Sequence, residues 1–323
     1  MARVLVALGG NAIRQPKEHG TLEEQLSNIG RTCRHLAEMV AIGHSLVVSH
    51  GNGPQVGSIL LQNQLARDVV PPMPLDVCGA ESQGQIGYLI QQTLGNELRR
   101  RRIHRPVVSL VTQTLVDERD PAFATPSKPI GPFVAAAEAQ RHMRECGETW
   151  VEDSGRGWRR VVPSPWPLAI VEADVIAHLL AAGTIAIASG GGGVPVVRQA
   201  DGSLRGIEAV IDKDLAAARL AEQLRMEVLL ILTDVEGVAL AYGKPEQRFL
   251  RETTAGELDG LLKQGAFAAG SMEPKVRGAV GFVRAGGVRA VICTLDDALA
   301  GLEGRAGTQI VYRRGRARAG HAA

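Results

Sequence analysis

Six short apolar runs punctuate the chain, each closing on glycine or a polar turn: Val4–Leu8, Ser45–Ser49, Val107–Thr112, Thr184–Ser189, Val228–Thr233 and Val288–Thr294. Near-continuous apolarity over so few residues is the pattern of strands covered on both faces, as in a parallel sheet. Between the runs lie helical stretches: Gln25–Ala41, Gln55–Arg67, Gln83–Arg102, Ala173–Ala182, Asp214–Arg225, Thr254–Gln264 and Lys275–Gly286. Strand and helix alternate, which predicts an α/β fold, a three-layer α/β/α sandwich around a mainly parallel open sheet.

One stretch interrupts the alternation. Val116–Pro167 is rich in proline and holds all three tryptophans, Trp150, Trp158 and Trp166. Within it, Trp150–Glu152 and Gly157–Val162 read as a hairpin around Asp153-Ser154-Gly155-Arg156. Residues 116–167 are therefore expected to form a small protruding, lid-like subdomain inserted in a single domain spanning residues 1–323, since long excursions from a compact fold are usually functional. The tail Arg313–Ala323, rich in Arg and Gly, is expected to fray.

Composition narrows the partners. The 323 residues are 45% hydrophobic, with 36 Lys+Arg against 34 Asp+Glu and a net charge of +2. Such a chain folds, and carries no global field toward nucleic acid or a membrane surface. Aromatics make up 3%, too few for base-stacking platforms. No apolar run approaches the roughly 20 residues that span a bilayer, and Val4–Leu8 is too short for a signal-peptide core. Cys33, Cys78, Cys146 and Cys293 form no C-x-x-C pair and read as reduced thiols, so a cytoplasmic location is expected.

Four glycine clusters bear on the chemistry. Gly9-Gly10-Asn11, Gly51-Asn52-Gly53 and Gly190–Gly193 each follow an expected strand, and Gly270-Ser271-Met272 precedes the last long helix. At the carboxyl edge of an open parallel sheet, where ligands bind, glycine lets backbone N–H groups face an anion, and helix N-termini add a positive pole. Neither the P-loop pattern nor G-x-G-x-x-G is present. The basic residues comprise 6 Lys and 30 Arg, so lysine at a special loop stands out. Lys213 sits in Asp212-Lys213-Asp214 ahead of a helix, where Asp214 is placed to cap it. Lys275 opens the last long helix behind Pro274, and Lys128 sits in the rigid loop Ser127-Lys128-Pro129-Ile130-Gly131-Pro132. Together the three suggest charge neutralisation during phosphoryl transfer, a reaction that needs positioning and electrostatics above all.

These residues resemble the carbamate kinases of the amino acid kinase superfamily over nearly the whole chain. The resemblance rests on Ala7-Leu8-Gly9-Gly10-Asn11-Ala12, His50-Gly51-Asn52-Gly53-Pro54-Gln55-Val56-Gly57, Ser127–Pro132, Glu208-Ala209-Val210-Ile211-Asp212-Lys213-Asp214, Leu232-Thr233-Asp234, and Gly270-Ser271-Met272 with Pro274-Lys275. It implies a sheet of about eight strands, a homodimer, and the reversible reaction of ATP and carbamate to ADP and carbamoyl phosphate with magnesium, often run toward ATP at the end of arginine breakdown. Carried over, Gly9, Gly10, Asn11, Gly51, Asn52 and Gly53 would hold the transferred phosphoryl and the carbamate. Lys213 and Lys275 would neutralise phosphate oxygens, with Asp214 orienting them, and Lys128 would reach in from the subdomain. Thr233, Asp234, Gly237 and Met272 would lie near the nucleotide. Glu273 is expected to point away from the anion site, and Ala239 stands where the family pattern leads one to expect tyrosine. Two other readings remain open: a superfamily kinase for another small carboxylate, and a non-catalytic nucleotide or carbamoyl phosphate sensor.

Overall fold

The computed structural model describes every residue except Pro16, Ser154, Ala269 and residues 314–323. Most of the tail expected to fray, and Ser154 of the expected hairpin turn, thus lie outside the described residues. The main sheet has eight strands: β1 (Arg3–Leu8), β2 (Ser45–His50), β3 (Val107–Ser109), β4 (Ile185–Ile187), β5 (Val228–Thr233), β6 (Glu252–Thr254), β7 (Arg289–Thr294) and β8 (Thr308–Val311). Their order is β6-β8-β7-β5-β1-β2-β4-β3. Neighbours run parallel except β7 and β8. The six apolar runs are six of these strands.

The helices are α1 (Leu22–Ala41), α2 (Gly53–Ala66), α3 (Leu75–Arg100), α4 (Ala136–Cys146), α5 (Ala173–Ala181), α6 (Lys213–Gln223), α7 (Ala255–Lys263), α8 (Met272–Arg284) and α9 (Ala298–Leu302). Of these, α2 and α4 pack beside the smaller sheet of the proline-rich stretch, and the others cover the two faces of the main sheet. Pleating sends alternate residues of β1 into two separate cores. Leu5 and Ala7 join the core beneath α5, α6, α7 and α8. Val4, Val6 and Leu8 join the core beneath α1, α3 and α9. The result is the expected three-layer sandwich.

The helix starts follow local chemistry. Thr21 and Glu24 form a reciprocal capping box at α1, as Thr254 and Glu257 do at α7. α3 begins at Leu75 rather than at Gln83, because Leu75 and Cys78 seat its first turns against Val56, Ile59, Ile130 and Val162. That burial outweighs the poor helix propensity of Gly79 and Gly84. The sequence pattern also missed β6, β8, α4 and α9. It missed a second sheet as well, made of residues 204–206, 194–198, 113–115 and 169–170.

Inside the proline-rich stretch, strands Lys128–Val134, Trp158–Val162 and Thr149–Glu152 form an antiparallel sheet with α4 beside it. Trp150 pairs with Arg160 across the hairpin. This sheet is rooted on α2. A Cβ on Gly57 would lie 2.8 Å from the Gly131 Cα, so the two elements meet backbone to backbone. Gly131 also holds a φ of +71°, which favours glycine. Cys33, Cys78 and Cys293 are buried, and burial pushes their thiols up to about 12, 11 and 12 respectively. Cys146, the last residue of α4, is exposed.

Candidate active site

The chain leaves β1 toward β2 on one side and β5 lies on the other, so strand order reverses at β1. In an open α/β sheet the crevice outside the carboxyl ends at that point is where ligands sit. A cavity of about 370 Å³ opens there, lined by Gly9, Gly10, Asn11, Lys213, Thr233, Asp234 and Lys275 among others. A second of about 130 Å³ shares Thr233, Asp234 and Lys275, and continues between Val235, Ala239, Tyr242, Phe267 and Met272. One polar chamber therefore leads into a smaller, more apolar one. A larger open groove of about 680 Å³ lies elsewhere, along the end of α3 and the sheet-edge strand β3.

The charged groups are ordered by the start of α6. Asp212, not Asp214, is its cap: Oδ1 of Asp212 accepts from the N–H of Asp214 at 2.9 Å and of Leu215 at 3.4 Å. Asp214 sits one residue inside the helix, and its buried side chain turns toward the crevice instead. Its Oδ1 takes Lys213 Nζ at 2.6 Å and its Oδ2 takes Lys275 Nζ at 3.1 Å. Burial pushes the Asp214 pKa up, but the charges and hydrogen bonds of the two lysines outweigh it and hold the carboxylate at about 2. Burial likewise pulls Lys275 down, and Asp214, joined by Asp212 and Asp234, more than offsets this, leaving the ammonium above its ordinary value. Lys275 Nζ also donates to the Ser271 carbonyl at 3.2 Å. Lys128 reaches over from the inserted sheet and pairs with Oδ2 of Asp212 at 2.7 Å. Glu273 pairs with Arg277 one turn along α8.

The second glycine loop forms the wall behind Lys213. A Cβ on Gly51 would meet the Lys213 side chain at 3.4 Å. Asn52 stands at the cap position of α2 without a side-chain bond to the helix backbone, and Gly53 is the first residue of that helix. Asn52 Nδ2 donates to Ser82 Oγ at 2.8 Å, while Ser82 donates to the Gly79 carbonyl at 2.6 Å. That chain fixes which way the Asn52 amide faces. His50 is buried, and burial draws its pKa down to about 4. Its Nδ1 lies 2.9 Å from the Gly51 carbonyl, which can only accept, so Nδ1 carries the proton.

The third glycine cluster does not face the cavity. Gly190, Gly191 and Gly192 are buried beneath this loop. A Cβ on Gly191 would fall 2.1 Å from Asn52 Nδ2, at a φ of +64°. Gly191→Ala is expected to displace Asn52 and lower the melting temperature by roughly 5 °C, the scale of overpacking combined with backbone strain. A wild-type melting curve would show that Asn52 is free to move aside. Gly237 lies against Thr308, and it, Gly51, Asn52, Gly53 and Lys128 all stand outside the lining of both cavities. Sequence reasoning gave no role to Asp212, although an acidic residue ahead of an apolar helix is a cap signal. It also missed Arg31 and Asp296, paired across 265 residues at the rim of the larger cavity, for which no local signal exists.

Backbone glycines, two lysines on one carboxylate and a helix start converge on a single crevice, an arrangement suited to stabilising a transferring phosphoryl group. The chain belongs to the amino acid kinase family, whose model matches residues 2–294. Over 314 residues it is 53% identical to the carbamate kinase of Thermococcus kodakarensis, covering 96% of this chain and 99% of that one. The Pyrococcus furiosus carbamate kinase is 51% identical over 311 residues, covering 96% and 99%. The solved carbamate kinase of Giardia lamblia bound to AMP-PNP superposes with a TM-score of 0.90 at 45% identity, covering 96% of this chain and 98% of that one. Within the family, the chain is a member of the carbamate kinases.

Proposed function

We propose that this enzyme transfers a phosphoryl group between ATP and carbamate, giving ADP and carbamoyl phosphate, through the crevice at the ends of β1, β2 and β5. The observation that carries the reading is the pair Lys213 and Lys275, held by the buried Asp214 where the two cavities join. The nucleotide base occupies the smaller chamber beside Met272 and Tyr242, and its phosphates run into the polar one past Thr233 and Asp234. A carbamate oxygen attacks the γ-phosphorus, that new P–O bond forms, and the bond to the β–γ bridging oxygen breaks, leaving its electron pair on ADP. Backbone N–H groups of Gly9 and Gly10 with Asn11 hold the transferred group. Gly51, Asn52 and Gly53 lie on the carbamate side. Lys213 and Lys275 neutralise the phosphoryl oxygens, and Asp214, an anion at every working pH, keeps both ammonium groups aimed.

Magnesium fits as a passenger of the nucleotide. No cluster of three His, Cys, Asp or Glu is present among the described residues, while Asp234 presents one carboxylate to the phosphate path, beside Asn11 and Thr233. A metal held by phosphates, water and one such carboxylate is ordinary for magnesium, and when bound it would neutralise charge on the nucleotide phosphates. The enzyme is a cytoplasmic homodimer in this reading; the groove between α3 and the unpaired edge of β3, with Tyr88 exposed, is the face offered to a second copy. Its working direction is ATP synthesis in arginine catabolism.

The decisive experiment is a coupled assay for ATP formed from ADP and carbamoyl phosphate. Activity there, with none on acetylglutamate, aspartate or glutamate, supports the proposal; the opposite pattern overturns it. Residues 116–167 act as the inserted subdomain that delivers Lys128 to the substrate. Lys128→Ala is accordingly expected to raise KM for carbamoyl phosphate and lower kcat by about tenfold, with ADP affinity by calorimetry unchanged. Arginine should rescue poorly, because its broad fork suits a one-carbon substrate badly. Weak ADP binding with normal handling of carbamoyl phosphate would reject the assignment.

A further inference from the structure

Asp212 lines neither cavity, yet it touches both halves of the charged machinery. Its two oxygens have separate partners. Oδ1 caps α6, whose first two residues are Lys213 and Asp214. Oδ2 takes Lys128 Nζ at 2.7 Å, from a residue 84 positions away in the chain. Lys128 opens the strand Lys128–Val134, and that strand is fixed near its start by the Gly57–Gly131 contact and by Ile130, buried among Val56, Ile59 and Leu75. The backbone beneath Lys128 is therefore held, but its long side chain has several rotamers to lose before it points anywhere in particular. The carboxylate selects one of them. Asp212 itself is 7% exposed while the Lys128 side chain is 26% exposed, so the carboxylate is the fixed member of the pair, and the capping N–H groups keep it still.

We propose that Asp212 is a positioning residue: it aims Lys128 at the substrate while fixing the helix start that carries Lys213 and Asp214, so one carboxylate couples the inserted sheet to the main site. The proposal rests on the substrate role of Lys128 given above. Removing the cap along with the charge would confuse the two jobs of Asp212. Asp212→Asn and Asp212→Ser both keep a good capping oxygen and lose the charge. Each variant is expected to melt close to the wild type. Each should lose about tenfold in kcat/KM for carbamoyl phosphate while ADP affinity stays within about twofold, the pattern of a misplaced substrate-side group. The double variant Lys128→Ala with Asp212→Asn should be no worse than Lys128→Ala alone, since residues acting through one contact are not additive. Losses that multiply in the double variant, or wild-type kinetics in both Asp212 variants while Lys128→Ala is impaired, overturn this inference and leave the Lys128 assignment standing. A kinetically silent Lys128→Ala overturns both.

Discussion

Lys213→Ala and Lys275→Ala each leave a folded protein whose kcat is lower by at least about a hundredfold, the scale of losing one preorganised electrostatic stabiliser. Both ammonium groups line the polar cavity, and both are steered there by Asp214 rather than by solvent. Each mutation also takes one of two partners from the buried Asp214 carboxylate, so the melting temperature should fall by a few degrees while circular dichroism shows the fold retained. The loss should fall on kcat more than on KM, because the charge they meet grows as the phosphoryl group leaves its donor. Near wild-type turnover in either variant would remove that lysine from the transition-state account.

Asp214→Asn has the second large effect. The variant keeps the volume of the side chain and the helix cap, which belongs to Asp212. It leaves two ammonium groups facing a neutral amide in a buried place, and like charges so placed repel. A loss of kcat of about a hundredfold or more is expected, with a second mark in the pH profile. In the wild type, burial draws Lys275 down, and Asp214, with smaller help from Asp212 and Asp234, outweighs it. Without the carboxylate the strongest upward influence is gone, so Lys275 sheds its proton at lower pH than in the wild type, and activity should fall away earlier as pH rises. A profile parallel to the wild type would argue that Asp214 does not hold Lys275. The folded protein also has an acid limit in the same group. Because its folded pKa is depressed to about 2 from an ordinary 3.8, its contribution to stability is complete above pH 4 and is lost as pH falls toward 2.

The sheet was legible because five of its strands are buried on both faces and so read as apolar runs whatever their neighbours, while β3, the half-buried edge strand, was read from its own Val107-Val108 pair. β6 and β8 were not, because Glu252–Thr254 and Thr308–Val311 are short, mixed in polarity and paired only through tertiary contact. α4 shows a different failure. Its run from Ala136 to Cys146, closed by Gly147 in the left-handed conformation, carries a helix signal, yet only Ala139 is buried, and the prolines on either side masked it. The lysines of the site were visible as exceptions in an arginine-rich chain. What each one touches was not, because Lys128 to Asp212 and Lys275 to Asp214 are contacts made by topology. The same limit explains the misplaced cap: the helix starts at Lys213, so the extended residue Asp212 is the one whose side chain can turn back onto the backbone, and Asp214, inside the first turn, is left to the lysines.

The distribution of sulfur has a practical consequence for following the protein in solution. Three thiols are sealed in the core with their pKa values raised, so at neutral pH they are both out of reach and unionised. Cys146 stands exposed at the end of α4, beside the inserted sheet and outside the lining of either cavity. A maleimide dye added to the unaltered enzyme should therefore attach at a single point. That point rides on the element that carries Lys128, so the native chain already contains the attachment site for a spectroscopic ruler.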